Sequence, residues 1–125
     1  VSELLSVKGD DFTGVAVQEG TKIVTSLKGN ADYAAIDSVE KLLDKTHDEA
    51  LRTTASEVVI DLRQLEFMNS SCFKCFVSWI TEVQELPEAQ QYKVRFQSNA
   101  QLHWQKRSLH SLRCFAVELI TVDEE

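Results

Sequence analysis

Asn69, Ser70, Ser71, Cys72 and Cys75 stand within seven residues of one another, in the stretch "EVVIDLRQLEFMNSSCFKCFVSWI". Their types allow five kinds of chemistry. Asn69 or Ser70, placed after a loop and before an apolar run, would cap a helix by accepting an unpaired backbone N–H. Cys72 and Cys75 form a C-x-x-C pair near a helix start, where the helix dipole would lower a thiol pKa and favour redox exchange. Opposing that reading are the bulky Phe-Lys spacer, a strand expected to end at Leu62, and the single proline, Pro87, at the far end of the same helix. A structural zinc needs about four ligands at characteristic spacing. Cys114, His103 and His110 offer none, so no metal is expected. A serine nucleophile lacks a G-x-S-x-G elbow and any spacing that assigns it a histidine. No catalytic residue and no cofactor is therefore expected. The fifth possibility is covalent modification. A phosphate on Ser70 would meet free N–H groups and the positive end of the helix dipole, adding roughly −1.5 to −2 charge without disturbing the fold.

These residues need a frame. Thr13, Val15 and Val17, then Ile23, Thr25 and Leu27, alternate on either side of Glu19-Gly20, which reads as a β-hairpin over 12–28. Asn30 or Asp32 can cap a following helix whose stripe is Ile36, Val39, Leu42 and Leu43. That helix continues or restarts through Ala50 and Leu51, with His47 as a solvated side chain. Val58, Val59 and Ile60 are a β-branched run, the mark of a strand covered on both faces. A helix from Ser70 to Leu86 is stopped by Pro87. Tyr92, Val94 and Phe96 alternate as a strand, residues 100–110 read as a helix, and "CFAVELITV" as a last strand. The order ββαβαβαβ predicts right-handed crossovers and parallel later strands. The fold class expected is α/β: a mixed, mostly parallel sheet with an N-terminal β-hairpin and three or four helices packed on it, in one domain over 1–125.

Composition narrows the function. The formal net charge of −7 opposes a phosphate backbone as direct partner, so no nucleic acid is expected. No apolar run approaches the ~20 residues of a membrane span. The start "VSELLSVKGDD" lacks the basic and long apolar segments of a signal peptide. Together with three cysteines, an odd and sparse count, this predicts a reducing cytoplasm. Cys72, Cys75 and Cys114 are expected as reduced, metal-free small hydrophobes at the edges of apolar stripes.

The central segment resembles that of STAS domains, especially bacterial anti-sigma factor antagonists. In that family a strand ending in Asp-Leu leads through a loop close to Phe-Met-Asp-Ser-Ser-Gly into an apolar helix. Asp61-Leu62 and Phe67-Met68-Asn69-Ser70-Ser71-Cys72 are similar to it. "SLKGNAD" resembles the family's strand, glycine and helix entry, and "HSLRCFAVELITV" its turn into the last strand, so the resemblance spans most of 12–122. It implies a regulatory module that is not an enzyme. Its partner would be an anti-sigma factor that is also a serine kinase, and binding would be switched by phosphorylation at Ser70, with Ser71 as the neighbouring acceptor. Two positions depart from the pattern. Asn69 replaces the acidic residue and still caps, while Cys72 replaces the glycine and adds bulk. A divergent STAS-like accessory or scaffold domain without the switch is the alternative, and a small thiol redox protein the third.

The partner surface expected around the serine comprises Asn69, Ser70, Cys72, Lys74, Cys75 and Trp79. At about 100° per residue, Phe73, Phe76, Val77, Ile80 and Val83 should face the sheet. Cys72, Cys75, Trp79 and Leu86 form a shoulder, and Ser70, Lys74, Ser78 and Glu85 hold the outer face. Cys75 and Trp79 would then stay partly exposed as an apolar anchor, unless a neighbouring helix covers them.

Overall fold

In the computed structural model, which describes residues 1–124, six strands form one sheet in chain order. They are β1 (Ser2–Lys8), β2 (Phe12–Glu19), β3 (Lys22–Ala31), β4 (Glu57–Met68), β5 (Lys93–Ser98) and β6 (Ile120–Glu124). The first three pair antiparallel and the rest parallel. Three helices make the crossovers: α1 (Ile36–Arg52), α2 (Ser70–Glu85) and α3 (His103–Phe115). Successive crossovers of one hand, stepping in one direction, place all three on one face. The mixed α/β architecture is the one expected from the pattern.

Alternation decides which side chains meet that layer. Ile23, Thr25 and Leu27 on β3, Val58, Ile60 and Leu62 on β4, and Val94 and Phe96 on β5 are all buried. The register aligns Thr25, Ile60 and Phe96 in one row. Thr46 of α1 reaches down to Thr25, Oγ1 to Oγ1 at 2.8 Å, and Phe76 of α2 packs on Phe96 with ring centroids 6.0 Å apart.

Among the described residues the other face carries no helix, contrary to the double coverage that the Val58-Val59-Ile60 run suggests. Val59 is buried there by its lateral neighbours Val24 and Arg95. The Arg95 guanidinium bonds Glu57 at 3.3 Å and Asp123 at 3.0 Å, roofing the sheet with ion pairs.

Gly29 sets the entry to the site. Its φ of +92° suits glycine, and a Cβ would collide with the Asp11 carbonyl oxygen. The chain passes close there because Asn30 N–H donates to that same carbonyl at 2.8 Å.

Candidate functional site at the start of α2

The site lies at the carboxyl-end edge of β3 and β4. β4 runs on to Met68 rather than ending at Leu62, because β3 pairs with it as far as Ala31–Met68. Its pairing with β5 stops at Asp61–Gln97. Beyond that point Gln105 of α3 substitutes for a strand. Its Nε2 donates to the carbonyls of Leu62 at 2.6 Å and Leu65 at 3.0 Å, and its Oε1 accepts from Asn99 N–H at 2.8 Å. The extended end of β4 is thus held where it can deliver Asn69 to the helix.

Asn69 is the N-cap. Its backbone is extended, its N–H donates to the Ala31 carbonyl at 2.9 Å, and its Oδ1 accepts the Cys72 N–H at 2.8 Å. Ser70, the first helical residue, is exposed. Ser71 is half-buried and lies on a groove of about 340 Å³ between α1 and α2. Lys74 and Cys75 line that groove together with Glu40, Asp44 and Glu82.

Cys72 turns inward. It is buried, and its thiol donates to the Asp32 carbonyl, with sulfur 3.5 Å from oxygen. The extra bulk relative to glycine therefore fills the interior and ties α2 to the start of α1. Burial pushes the Cys72 thiol up to about 11, with Cys75 and Asp32 adding to the rise. Burial also raises Cys75, reinforced by Glu40 and Asp44. This is opposite to the thiolate that redox chemistry needs. Cys114 is exposed on α3, not at the edge of an apolar stripe. With one equivalent of iodoacetamide, Cys114 should be alkylated first and Cys72 only after unfolding; tryptic mass mapping that finds Cys72 labelled early in native protein would contradict this. Among the described residues no three His, Cys, Asp or Glu side chains converge on a metal-sized site.

The expected anchor needs correction. Trp79 is 3% exposed. Its Nε1–H donates to the Tyr92 hydroxyl at 2.8 Å, and His47 Nδ1 lies 2.6 Å from the same oxygen. His47 is correspondingly buried rather than solvated. The cause is α1, which packs along α2 and covers the shoulder. The buried face of α2 is accordingly rotated toward Cys72, Phe76, Trp79, Ile80 and Val83, leaving Phe73 and Val77 half-buried. Of the predicted partner-binding residues, the structure brings Ser70 and Lys74 to the surface. It leaves Asn69 and Cys75 partly covered and withdraws Cys72 and Trp79.

Two exposed aromatic residues that sequence reasoning missed belong to the segments that meet the start of α2. Tyr33, in the 3-10 turn Tyr33–Ala35 that follows β3, is 82% exposed, and Phe67, near the end of β4, is 47% exposed. Asn30 pairs with Phe67 and Ala31 with Met68, which sets both aromatics at the edge where α2 begins. Tyr33 carried one signal: it directly follows the capping Asp32, ahead of the apolar stripe.

No protein-family model and no curated protein matches the chain. Solved structures do. An anti-sigma factor antagonist from Mycobacterium paratuberculosis superposes with TM-score 0.65 at 17% identity, covering 94% of this chain and 89% of that one. The Bacillus cell fate determinant SpoIIAA, in its phosphorylated form, gives 0.57 at 14% identity, covering 90% and 92%. An antisigma-factor antagonist STAS domain from Rhodobacter sphaeroides gives 0.53 at 14% identity, covering 71% and 88%. The fold is STAS-like, as the central motif implies. Among the described residues no helix is long and apolar enough to cross a membrane.

Proposed function

We propose that this chain is a regulatory protein-binding module of the anti-sigma factor antagonist kind. In this reading it works in the cytoplasm, performs no catalysis, and binds an anti-sigma factor that is also a serine kinase. Phosphorylation of Ser70 switches the binding, and Ser71 is the second acceptor. The observation that carries the reading is the exposed Ser70, first residue of α2, in a fold shared with two anti-sigma factor antagonists and with a cell fate determinant solved in its phosphorylated form.

The physics of the switch is local. The first turn of a helix has unpaired N–H groups, and Asn69 takes only that of Cys72. A phosphate on Ser70 would find donors and the positive dipole end there, so the helix survives modification. The same phosphate would add bulk and charge at the helix start, where α2 is tied to the Ala31 and Asp32 carbonyls just ahead of Tyr33 and follows closely on Phe67, the aromatic residues this reading assigns as partner anchors. Aromatic residues are the types most enriched where interfaces concentrate their energy. Lys74, one turn on from Ser70, can pair with the phosphate.

The test begins with phosphopeptide mapping after incubation with the source organism's lysate and ATP. The phosphate should be on Ser70. Ser70→Ala should retain the captured partner, and Ser70→Glu should weaken it by on the order of tenfold or more while melting stays unchanged. Phosphate at a site other than Ser70 or Ser71, or binding indifferent to both substitutions, refutes the assignment. If Tyr33→Ala and Phe67→Ala then still abolish capture, the module is an accessory domain without the switch.

A further inference from the structure

The three cysteines of the chain are held in two ways. Cys72 is buried and Cys75 half-buried, and burial raises both thiols. Cys114 is exposed, and it does not stand alone. Its Sγ lies 3.6 Å from Nε2 of His110, one helical turn earlier on α3 and also exposed. A thiol with an imidazole in hydrogen-bond reach has the nucleophile–base pairing of an activated cysteine.

The outer line of α3 runs His103, Arg107, His110, Cys114. At about 100° per residue these four lie within about 60° of arc, opposite the buried Gln105, Leu109 and Leu112. His103, Arg107 and His110, with Lys106 on their flank, line a depression of about 580 Å³. Arg107 is seven residues from Cys114, about 10 Å along the axis at 1.5 Å per residue. Residues 89–117 hold five basic side chains and no carboxylate, in a chain with twenty acidic residues. Glu118, the first carboxylate beyond, lies in the turn after the helix. Exposed, electropositive surroundings of this kind are where reactive cysteines occur.

We infer that Cys114 is a reversible thiol-modification site, which takes up a low-molecular-weight thiol bearing carboxylates as a mixed disulfide. In the Nδ1–H tautomer, His110 Nε2 accepts the thiol proton. The Cys114 sulfur then attacks one sulfur of the small disulfide. The new S–S bond forms as the old one breaks, and the departing thiolate takes the proton from His110. Cys114 is oxidised, one half of the small disulfide is reduced to free thiol, and no other oxidant enters. Excess free thiol reverses the step. The adduct lies along the same outer line, its carboxylates toward Arg107 and Lys106. That charge selects the anionic class, since a cationic disulfide would meet like charge there. The inference rests on α3 and is independent of Ser70.

The test follows the intact mass of the native protein exposed near neutral pH to three small disulfides. These are glutathione disulfide, which is anionic, hydroxyethyl disulfide, which is neutral, and cystamine, which is cationic. Glutathione disulfide should add a single glutathionyl group, mapped by digestion to Cys114, absent in Cys114→Ser and removed by excess reduced glutathione. His110→Gln should slow uptake from all three by about tenfold or more. Lys106→Gln/Arg107→Gln should slow glutathione disulfide about threefold relative to hydroxyethyl disulfide, the size of effect exposed charges give, and speed cystamine relative to it. The proposal is overturned if His110→Gln reacts as fast as wild type, or if the double variant leaves the relative rates of the three disulfides unchanged. An adduct on Cys72 or Cys75 of the native protein overturns it as well.

Discussion

Trp79→Ala should destabilise the protein by about 3–5 kcal/mol, the range for removing a large aromatic side chain from a packed core. Trp79 sits between the α1 and α2 layers, edge-on to Phe76 and tilted against Tyr92, at centroid distances of 6.4 Å in both cases. Its indole N–H is paired only with the Tyr92 hydroxyl, which is also the partner of His47 Nδ1. Having accepted from Trp79, that oxygen can donate its own hydrogen to His47 Nδ1 or accept a second one from it, according to the imidazole tautomer, and His47 Nε2 lies 3.8 Å from Glu82. One hydroxyl thus satisfies two buried rings from two helices. Tyr92→Phe isolates this contribution, because it removes the oxygen with almost no change in volume. Each orphaned buried group costs about 1–3 kcal/mol. Urea unfolding at fixed pH measures both variants. A Trp104→Phe background lets Trp79 report alone, and its emission should be blue-shifted. Trp104 Nε1 has no partner among the described residues, so that background removes an N–H they leave unpaired. Exposed emission with a near-neutral Trp79→Ala would return Trp79 to the surface.

Gln105→Leu should cost about 3 kcal/mol or more, although the two side chains are of similar size. The loss is polar. Three backbone groups, the Leu62 and Leu65 carbonyls and the Asn99 N–H, would be left in a site where Gln105 itself is fully buried. Each unsatisfied group carries a desolvation penalty of about 1–3 kcal/mol. The consequence reaches the candidate site, because these bonds hold the end of β4 where β5 no longer does. Partner capture should fall in Gln105→Leu even though Ser70, Tyr33 and Phe67 are intact, and amide exchange at 62–68 should accelerate. A cost below about 1 kcal/mol, or unchanged exchange in that segment, would mean that β4 holds its end without α3.

Much of the frame is written in local pattern. The alternation of Ile23, Thr25 and Leu27, the caps Asp32 and Asn69, and Pro87 just past α2 are signals that a single strand or helix carries within itself. The motif from Asp61 to Cys72 is equally local, and it pointed to the STAS-like fold that the solved structures share. The failures have physical causes. β1 was not visible because Leu4, Leu5 and Val7 do not alternate; the register shift between Glu3 and Leu5 breaks the period of two. α3 was placed too early because Leu102 provides no side-chain cap and nothing in "HSLRCF" interrupts a helix. His47 lies on the inner stripe of α1, four residues after Leu43, but its burial depends on Tyr92, forty-five residues away.

The sequence by itself therefore determined the types of the central elements, the capped start of α2 and the placing of Ser70 upon it, because capping and alternation depend on neighbours a few bonds away. Only the tertiary structure decided which flank of α2 would be wet. That depends on where α1 comes to rest, which the crossover and the β3–β4 register fix through contacts distant in sequence. The apolar face and shoulder of α2 state how much must be covered, not by what. Here α1 took Trp79 inward, and the ends of β3 and β4 bring the exposed Tyr33 and Phe67 to the segments around the start of α2 instead.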